Sequence, residues 1–229
     1  MTRRLSIVWP DRQVFAERDG SPIRLLAVSD EVDPALEHRI NRDRIGHVDA
    51  IVGCGDLEPA YLGFLADAFG VPMAYVRGNH DRGGHWAETS VHAPSPLPSG
   101  RLVDVEGVTV VPLEWPGIDH ERVLREDWRA WLNVLRAEWG LVSRGVRGRA
   151  GPVLVISHAA PFGVGDAAAD PYHVGYRAYR WFLERNRPPL WLHGHTTPAS
   201  VVDWRASLGS STVANVTGSV VVELVPPAA

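Results

Sequence analysis

Several apolar segments of this 229-residue chain end in polar residues of the kinds that bind metal ions or phosphate. In chain order these residues are Asp30, Asp56, Asn79 with His80 and Asp81, His158, and His193 with His195. Each one alone has a simpler explanation, since aspartate and asparagine commonly cap turns and a lone histidine is commonly a hydrogen-bonded structural residue. The carboxyl ends of parallel strands share one edge of a sheet, however, and open α/β folds bind their ligands there. We therefore predict that these side chains meet in one cleft.

The residue types in this set favour a particular kind of ion. Carboxylate, amide oxygen and imidazole together suit a borderline divalent ion such as Mn, Fe, Zn or Ni better than calcium. His193 and His195 are two positions apart, so on an extended segment both would point to the same side and reach adjacent ions. The single cysteine, Cys54, lies inside an apolar run, which fits a small buried side chain and neither a nucleophile nor a structural zinc cluster.

The composition limits the partners of this site. Hydrophobic residues make up 45% and charged residues 22% of the chain, which is typical of a soluble globular protein. The net charge of −4, without a basic tract, argues against nucleic acid as a partner. No segment approaches the roughly 20 apolar residues that cross a bilayer, and one cysteine fits a reducing compartment. We expect a cytoplasmic protein with a small substrate and no membrane partner; the sequence does not indicate its oligomeric state.

The elements that position these side chains follow from apolar patterns. Continuous apolar runs closed by Gly, Pro or Asp predict strands at 23–30, 49–56, 71–81, 151–159 and 188–195. Helices are predicted at 34–45, where Asp33 would be the N-cap before Pro34, and at 59–69 before Gly70. This alternation predicts an α/β fold with a largely parallel sheet that is covered on both faces.

Antiparallel strands are expected at the margins of the chain. Two β-rich runs within 101–112 flank a Glu-Gly turn, and a second hairpin is expected around the Asp-Gly pair at 19–20. The valine-rich region 200–225 predicts further strands. A mixed α/β protein with two sheets accommodates both kinds of pairing.

The segment 121–140 predicts a helix with an apolar face. The apolar residues at helical spacing are Leu124, Trp128, Trp131, Leu132, Leu135 and Trp139. We interpret this face as the side that packs on a sheet, the alternative being a ligand site lined by tryptophan. Two long loops rich in Gly and Pro, 82–100 and 162–171, follow polar strand ends and are expected to be functional.

Taken in order, five short motifs of the chain resemble those of the calcineurin-like metallophosphoesterase superfamily. They are SDE (29–31), GD (55–56), GNHD (78–81), SHAAP (157–161) and HGHT (193–196), of which GNHD and HGHT are the specific elements. The resemblance implies one domain over residues 1–229 with a four-layer α/β/β/α sandwich. In that fold two mixed sheets lie face to face, and a dinuclear metal centre lies on one rim.

The resemblance also implies a role for each motif residue. Asp56 would bridge two divalent transition-metal ions; the second ion would be held by Asn79, His158 and His193, and the first by Asp30 and His195. His80 would lie over the phosphate and assist the leaving group. Asp81 either orients His80 or caps the turn. The implied reaction is hydrolysis of a phosphomonoester or phosphodiester by metal-activated hydroxide.

The chain departs from the family pattern at its first motif. The family has Asp-x-His, whereas positions 30–32 here are Asp-Glu-Val, so that the first ion loses a histidine ligand. Neither neighbouring carboxylate is a good replacement for this histidine, because Glu31 would point away from Asp30 on a strand and Asp33 is better placed as an N-cap. Water could instead take the open position at the ion. We expect an intact second site and a weaker first one. The alternatives are a degenerate, mostly mononuclear member that acts as a nucleotide-binding or regulatory protein, and a nuclease.

Two further residues are candidates for substrate binding. Arg77 flanks the GNHD motif and could contact phosphate, although a surface salt bridge is an alternative. Asp170 before Pro171 is expected to be the N-cap of a helix, which would place His173 in the first turn, where backbone N–H groups favour anions.

Overall fold

The computed structural model describes residues 2–81, 95–117, 127–167, 169–196 and 203–228. These ranges form eleven strands and four α-helices. The first sheet contains β1 Arg3–Val8, β2 Ile23–Ser29, β3 Ala50–Gly53, β4 Met73–Tyr75 and β11 Gly218–Val225. The second contains β5 Val103–Val105, β6 Val108–Leu113, β7 Val153–Ser157, β8 Leu190–His193, β9 Arg205–Leu208 and β10 Ser211–Asn215. The helices are α1 Arg39–Ile45, α2 Pro59–Phe69, α3 Asp127–Val146 and α4 Arg177–Asn186.

Both sheets are mixed, as the sequence predicts. The first has the order β1-β11-β2-β3-β4, with β2, β3 and β4 parallel and β11 antiparallel to β2. The second has the order β5-β6-β7-β8-β10-β9, with a parallel centre and antiparallel edge strands. None of the described helices is long and apolar enough to span a bilayer.

The strands are apolar on both faces because each sheet lies between two apolar layers. Alternate residues of β2 show this arrangement: Leu25 and Ala27 contribute to the core between the sheets, whereas Leu26 and Val28 pack with α2. The outer face of the second sheet packs in the same way against α3 and α4. The predicted four-layer α/β/β/α sandwich is therefore confirmed.

Local patterns predict most elements, but not the N-terminal one. The hairpin within 101–112 is confirmed by antiparallel pairing of β5 with β6. The hairpin expected around residues 19–20 is wrong, because Arg12–Arg18 form a 3-10 helix whose first turn is capped by Asp11. The N-terminal strand β1 pairs instead with β11, in parallel, at the other end of the chain.

The helix predicted in 121–140 is present, but of its expected packing face only Trp131 packs, partly buried, against the second sheet. The residues of α3 buried against the second sheet are Ala130, Val134 and Ala137, whose small side chains allow close approach. The larger apolar residues Trp128, Leu132, Leu135 and Trp139 are all exposed. Leu124 lies outside the described residues, as does most of the predicted loop 82–100.

Candidate metal centre

The carboxyl ends of β2, β3 and β4 of the first sheet and of β7 and β8 of the second lie at one rim of the sandwich. Two contacts join the loops of the two sheets there, and a third joins two loops of the second sheet. The ring Nδ1 of His158 lies 2.8 Å from the backbone carbonyl oxygen of Cys54. The backbone N–H of Gly194 donates to the carbonyl of His158 at 3.0 Å, and that of His195 donates to the carboxylate of Asp30.

Four of the predicted residues form a compact group of potential ligands. One ligand atom from each of Asp56, His158 and His195 lies within 4.8 Å of the others. Nε2 of His158 is 3.2 Å from a carboxylate oxygen of Asp56 and 2.7 Å from Oδ1 of Asn79. Two oxygen and two nitrogen donors thus converge at the meeting point of the two sheets.

Hydrogen bonds fix which ring nitrogen each histidine presents to this group. His158 donates from Nδ1 to the carbonyl of Cys54, so that Nε2 faces Asp56 and Asn79. His195 donates from Nε2 to the carbonyl of Tyr172 at 2.8 Å, which leaves Nδ1 as its lone-pair nitrogen. Metal-binding histidines are typically oriented in this way, by a hydrogen bond from the ring nitrogen that does not bind the ion.

The charges of the group fit a cation. Burial alone would lower the pKa of His158, but the Asp56 carboxylate outweighs burial and raises that pKa to about 9. Burial in turn would raise the pKa of Asp56, yet His158 and the hydrogen bonds around the carboxylate bring it below its ordinary value. Burial and the charge of His158 lower the pKa of His195 to about 3. A proton on Nε2 of His158 therefore lies among the oxygen atoms where a divalent ion would replace it.

Backbone groups hold the two loops of the first sheet in place. One carboxylate oxygen of Asp81 accepts from the N–H groups of both Asp56 and Gly78 at 2.7 Å. The N–H of His80 donates to Asp56 at 2.8 Å. A side chain at Gly78 would overlap Asp56, so glycine is required there. These contacts support the turn-capping alternative for Asp81 and leave the His80 side chain exposed at the rim.

Asp30 lies at the same rim, but its carboxylate is bound by the chain itself. It accepts from the N–H of His195 at 3.0 and 2.9 Å and from the hydroxyl of Thr217 at 3.2 Å. Burial raises its pKa. Asp30 is not part of the group formed by Asp56, His158 and His195. The hydrogen bonds of the Asp30 carboxylate position the backbone of His195.

His193 and His195 do not both belong to the group of potential ligands, contrary to expectation. The strand β8 ends at His193, and His195 has a left-handed backbone with φ of 66°, so that strand alternation does not extend across the pair. The Nε2 atom of His193 is buried, faces Gly165, and has no hydrogen-bond partner among the described residues. The structure therefore groups His195, and not His193, with Asp56 and His158.

The residues next to Asp30 do not replace the missing histidine. Val32 is 43% exposed and Glu31 is exposed as well. Asp33 caps the 3-10 helix Pro34–Glu37 through the N–H of Ala35 at 2.9 Å, as the sequence predicts. Within the described ranges, Asp56, His158 and His195 are the one set of three or more His, Cys, Asp or Glu side chains whose ligand atoms lie within 4.8 Å of one another.

His173 lies beside the group, although not at a helix start. The helix α4 begins at Arg177 with Tyr176 as its N-cap, so the expected capping of that helix by Asp170 is wrong. Asp170 instead accepts from Nδ1 of His173 at 2.5 Å. The rings of His173 and His195 are 5.0 Å apart between centroids, which places His173 at the edge of the site.

Sequence reasoning did not find Trp115, which forms a wall of the site. Its buried ring lies 4.8 Å from that of His195 and 5.9 Å from that of His158, between centroids. Its backbone N–H donates to the carbonyl of the half-buried Arg77 at 2.9 Å. The sequence signal that could have identified Trp115 was its position, because it closely follows the apolar run that forms β6.

Comparison with known proteins agrees with this fold. The sequence model of calcineurin-like phosphoesterases matches residues 34–198, and the chain therefore belongs to that family. One crystal structure aligns with a TM-score of 0.58 at 16% identity, covering 86% of this chain and 91% of the other. The crystal structure of the protein TT1561 from Thermus thermophilus aligns with a TM-score of 0.57 at 20% identity, covering 86% and 90%. These likenesses establish the fold, and a comparison with curated proteins gives no significant match.

Proposed function

We propose that this chain is a hydrolase of small phosphate esters that binds one divalent transition-metal ion through Asp56, Asn79, His158 and His195. Membership of the calcineurin-like phosphoesterase family supports the class of metal-dependent phosphoesterases. The observation that carries the proposal is the convergence of these four donors, with both histidines oriented by backbone carbonyls.

The proposal of one ion, and not the two that the family resemblance implies, follows from Asp30 and position 32. The Asp30 carboxylate already faces two donor groups of the chain, the N–H of His195, shared between both oxygens, and the hydroxyl of Thr217. Position 32 carries an exposed valine, and His193 lies apart from the group of ligands. The described residues therefore support one ion, held by ligands that the resemblance divides between two ions.

The residues around the ion have distinct tasks. A bound divalent ion supplies Lewis acidity at a phosphoryl oxygen and lowers the pKa of water at the site. The exposed His80 is held beside the group by its backbone bond to Asp56, and it can donate a proton to the leaving oxygen. Asp81 keeps His80 in position by fixing the turn of the GNHD motif.

Two nitrogen-bearing side chains at the edge of the site are proposed to bind substrate. His173, fixed by Asp170, has its ring 5.0 Å from that of His195 and can donate to a phosphate oxygen. Arg77 directly precedes GNHD and is proposed as a second phosphate contact. These groups suit a small phosphomonoester or phosphodiester.

The test combines ion content with turnover. Ion-free protein is loaded with Mn or Zn, the ions per chain are counted, and hydrolysis of aryl phosphomonoesters and phosphodiesters is measured. We expect one ion per chain and ion-dependent hydrolysis, both lost in His158→Gln. The matched control is His47→Gln, because His47 is exposed and precedes the opposite end of β3.

Two results would contradict the proposal in different ways. Two tightly bound ions per chain would refute the single-ion site. One bound ion without hydrolysis of either ester type would support the regulatory alternative instead.

A further inference from the structure

The exposed side of α3 carries a continuous apolar stripe, which we name the α3 stripe. It consists of Trp128, Leu132, Leu135, Trp139, Val142 and Val146, which are between 49% and 84% exposed. Their spacing alternates between four and three residues, which is the a and d pattern of a coiled-coil seam. Since the opposite side of α3 packs on the second sheet, this helix is apolar on two faces.

Two charged side chains of α3 next to the stripe are engaged elsewhere on the molecule, while the guanidinium of Arg129 lies 5.1 Å from the ring centroid of Trp128. Arg136 donates to the carbonyl of Ser99 at 3.1 Å. Glu138 binds Arg185 and Asn186 at 2.6 and 2.9 Å. The stripe is therefore an apolar surface with one cation, Arg129, against Trp128 at its end, and arginine beside aromatic residues is typical of protein interfaces.

The size of the stripe matches what a stable dimer needs. The helix has 20 residues, and so is about 30 Å long. Trp139 is 74% exposed and Trp128 is 56% exposed. With roughly 250 Å² for each tryptophan, the whole stripe exposes on the order of 700 Å² of apolar side chain. A monomer seldom leaves a patch of this size open, and a standard interface buries about 800 Å² on each partner.

We propose that a second copy of this chain docks on the α3 stripe, so that the two α3 helices pack antiparallel about a two-fold axis. In an antiparallel pair each a position faces a d position. Trp128 then lies opposite Val146 of the other copy, Leu132 opposite Val142, and Leu135 opposite Trp139.

This arrangement favours a second copy over a different partner because the stripe complements itself. Each of its six residues faces another stripe residue, and the largest end residue, Trp128, faces a valine. A parallel pair would instead stack each tryptophan on its own copy. Self-complementary patches of this kind form the two-fold dimers that are the commonest soluble oligomers. The inference is independent of the reaction at the metal centre.

The first experiment measures the mass of the full-length protein by sedimentation velocity over a range of concentrations. We expect twice the chain mass of 25.1 kDa for the wild type. Trp139→Glu should weaken dimerisation at least a hundredfold. Ile40→Glu is the matched control, because Ile40 is 63% exposed on α1 and should leave the dimer intact. Circular dichroism and ion content report whether each variant is folded.

The second experiment tests the orientation. Trp128→Cys chains are mixed with Val146→Cys chains and oxidised; the buried native Cys54 remains as an unreactive background. Antiparallel packing predicts disulfide-linked heterodimers, whereas homodimers of each variant would refute the antiparallel arrangement. The proposal would be overturned if the wild type were still a monomer at about 100 μM, roughly the highest working concentration. A dimer that persists in Trp139→Glu would overturn it as well. A monomer that binds phosphatidylserine vesicles through the stripe would also overturn it, and would assign the surface to a membrane.

Discussion

The backbone N–H of His195 donates to both carboxylate oxygens of Asp30, at 3.0 and 2.9 Å. The two residues belong to loops of different sheets and are 165 positions apart in sequence. The hydroxyl of Thr217 lies 3.2 Å from the same carboxylate, so Asp30 anchors the His195 loop. We predict that its influence on the proposed metal centre is exerted through the position of His195.

Replacement of Asp30 separates anchoring from ion binding. Asparagine keeps one oxygen acceptor for the N–H of His195, whereas alanine keeps none. We expect Asp30→Asn to retain ion affinity within a fewfold of the wild type and Asp30→Ala to weaken it about 10–100-fold, as is typical when a ligand loses its support. Isothermal titration with Mn provides the measurement. Equal, severe losses in both variants would show that Asp30 is itself a ligand.

His80 can be tested without disturbing the ion. Its side chain is exposed, and its contact with the Asp56 carboxylate is made by the backbone N–H, which alanine retains. His80→Ala should therefore lower kcat about 10²–10⁴-fold, the usual contribution of a general acid, with ion content unchanged. Asp56→Ala should lose both ion and turnover. An unaltered kcat in His80→Ala would exclude the proposed proton donation.

Ion affinity should depend on pH through His158. Because Asp56 raises the pKa of His158 to about 9, the ion-free protein holds a proton there at neutral pH, and ion binding must displace it. His195, with a pKa of about 3, is already neutral. Apparent affinity should rise about tenfold for each pH unit up to about pH 9 and then level off.

The measurement for this pH effect is titration with the ion in buffers of different ionisation enthalpy, which counts the protons released. About one proton per ion is expected at pH 7. His158→Gln should abolish the release along with most of the affinity, whereas His47→Gln should retain both. Release of no proton by the wild type would be inconsistent with a charged His158.

His193 should be dispensable for ion binding. Its Nδ1 lies 2.9 Å from the carbonyl of Gly194, and its buried Nε2 lacks a partner within the described structure. Leucine would lose one hydrogen bond but remove an unsatisfied polar atom, two effects of about 1–2 kcal/mol that oppose each other. His193→Leu should therefore keep its ion and change the free energy of unfolding little. If folded His193→Leu protein no longer bound the ion, His193 would have to be a ligand.

The pair of His173 and Asp170 should act on substrate binding. His173→Ala is expected to raise KM about tenfold with a smaller change in kcat, and Asp170→Asn to have a weaker effect in the same direction. Ion content should be unaffected in both. If kcat alone decreased, His173 would take part in the chemical step and not in substrate binding.

The positions of Asp56, Asn79 and His158 could be predicted because each follows a local apolar run. The rule that parallel strands end at one edge then brings them together. The choice between His193 and His195 could not be made in this way. It depends on the left-handed backbone at His195, which ends the alternation assumed for an extended segment.

Two features of the fold depend on partners far away in sequence. The pairing of β1 with β11 joins the two ends of the chain, and nothing in the N-terminal residues specifies it. The helix α3 has two apolar faces, and hydrophobic spacing does not tell which one meets the sheet. The small residues Ala130 and Ala137 pack there, while the more strongly apolar face lies outside.

The loops at the rim are fastened to one another chiefly through main-chain atoms. Asp81 binds two backbone N–H groups, His158 binds the carbonyl of Cys54, and Asp30 binds the N–H of His195. His158 belongs both to this frame and to the proposed ligand group, whereas Asn79 takes part in none of these three fastenings. Loss of the Asn79 side chain should therefore leave these loops joined, and loss of His158 should loosen them.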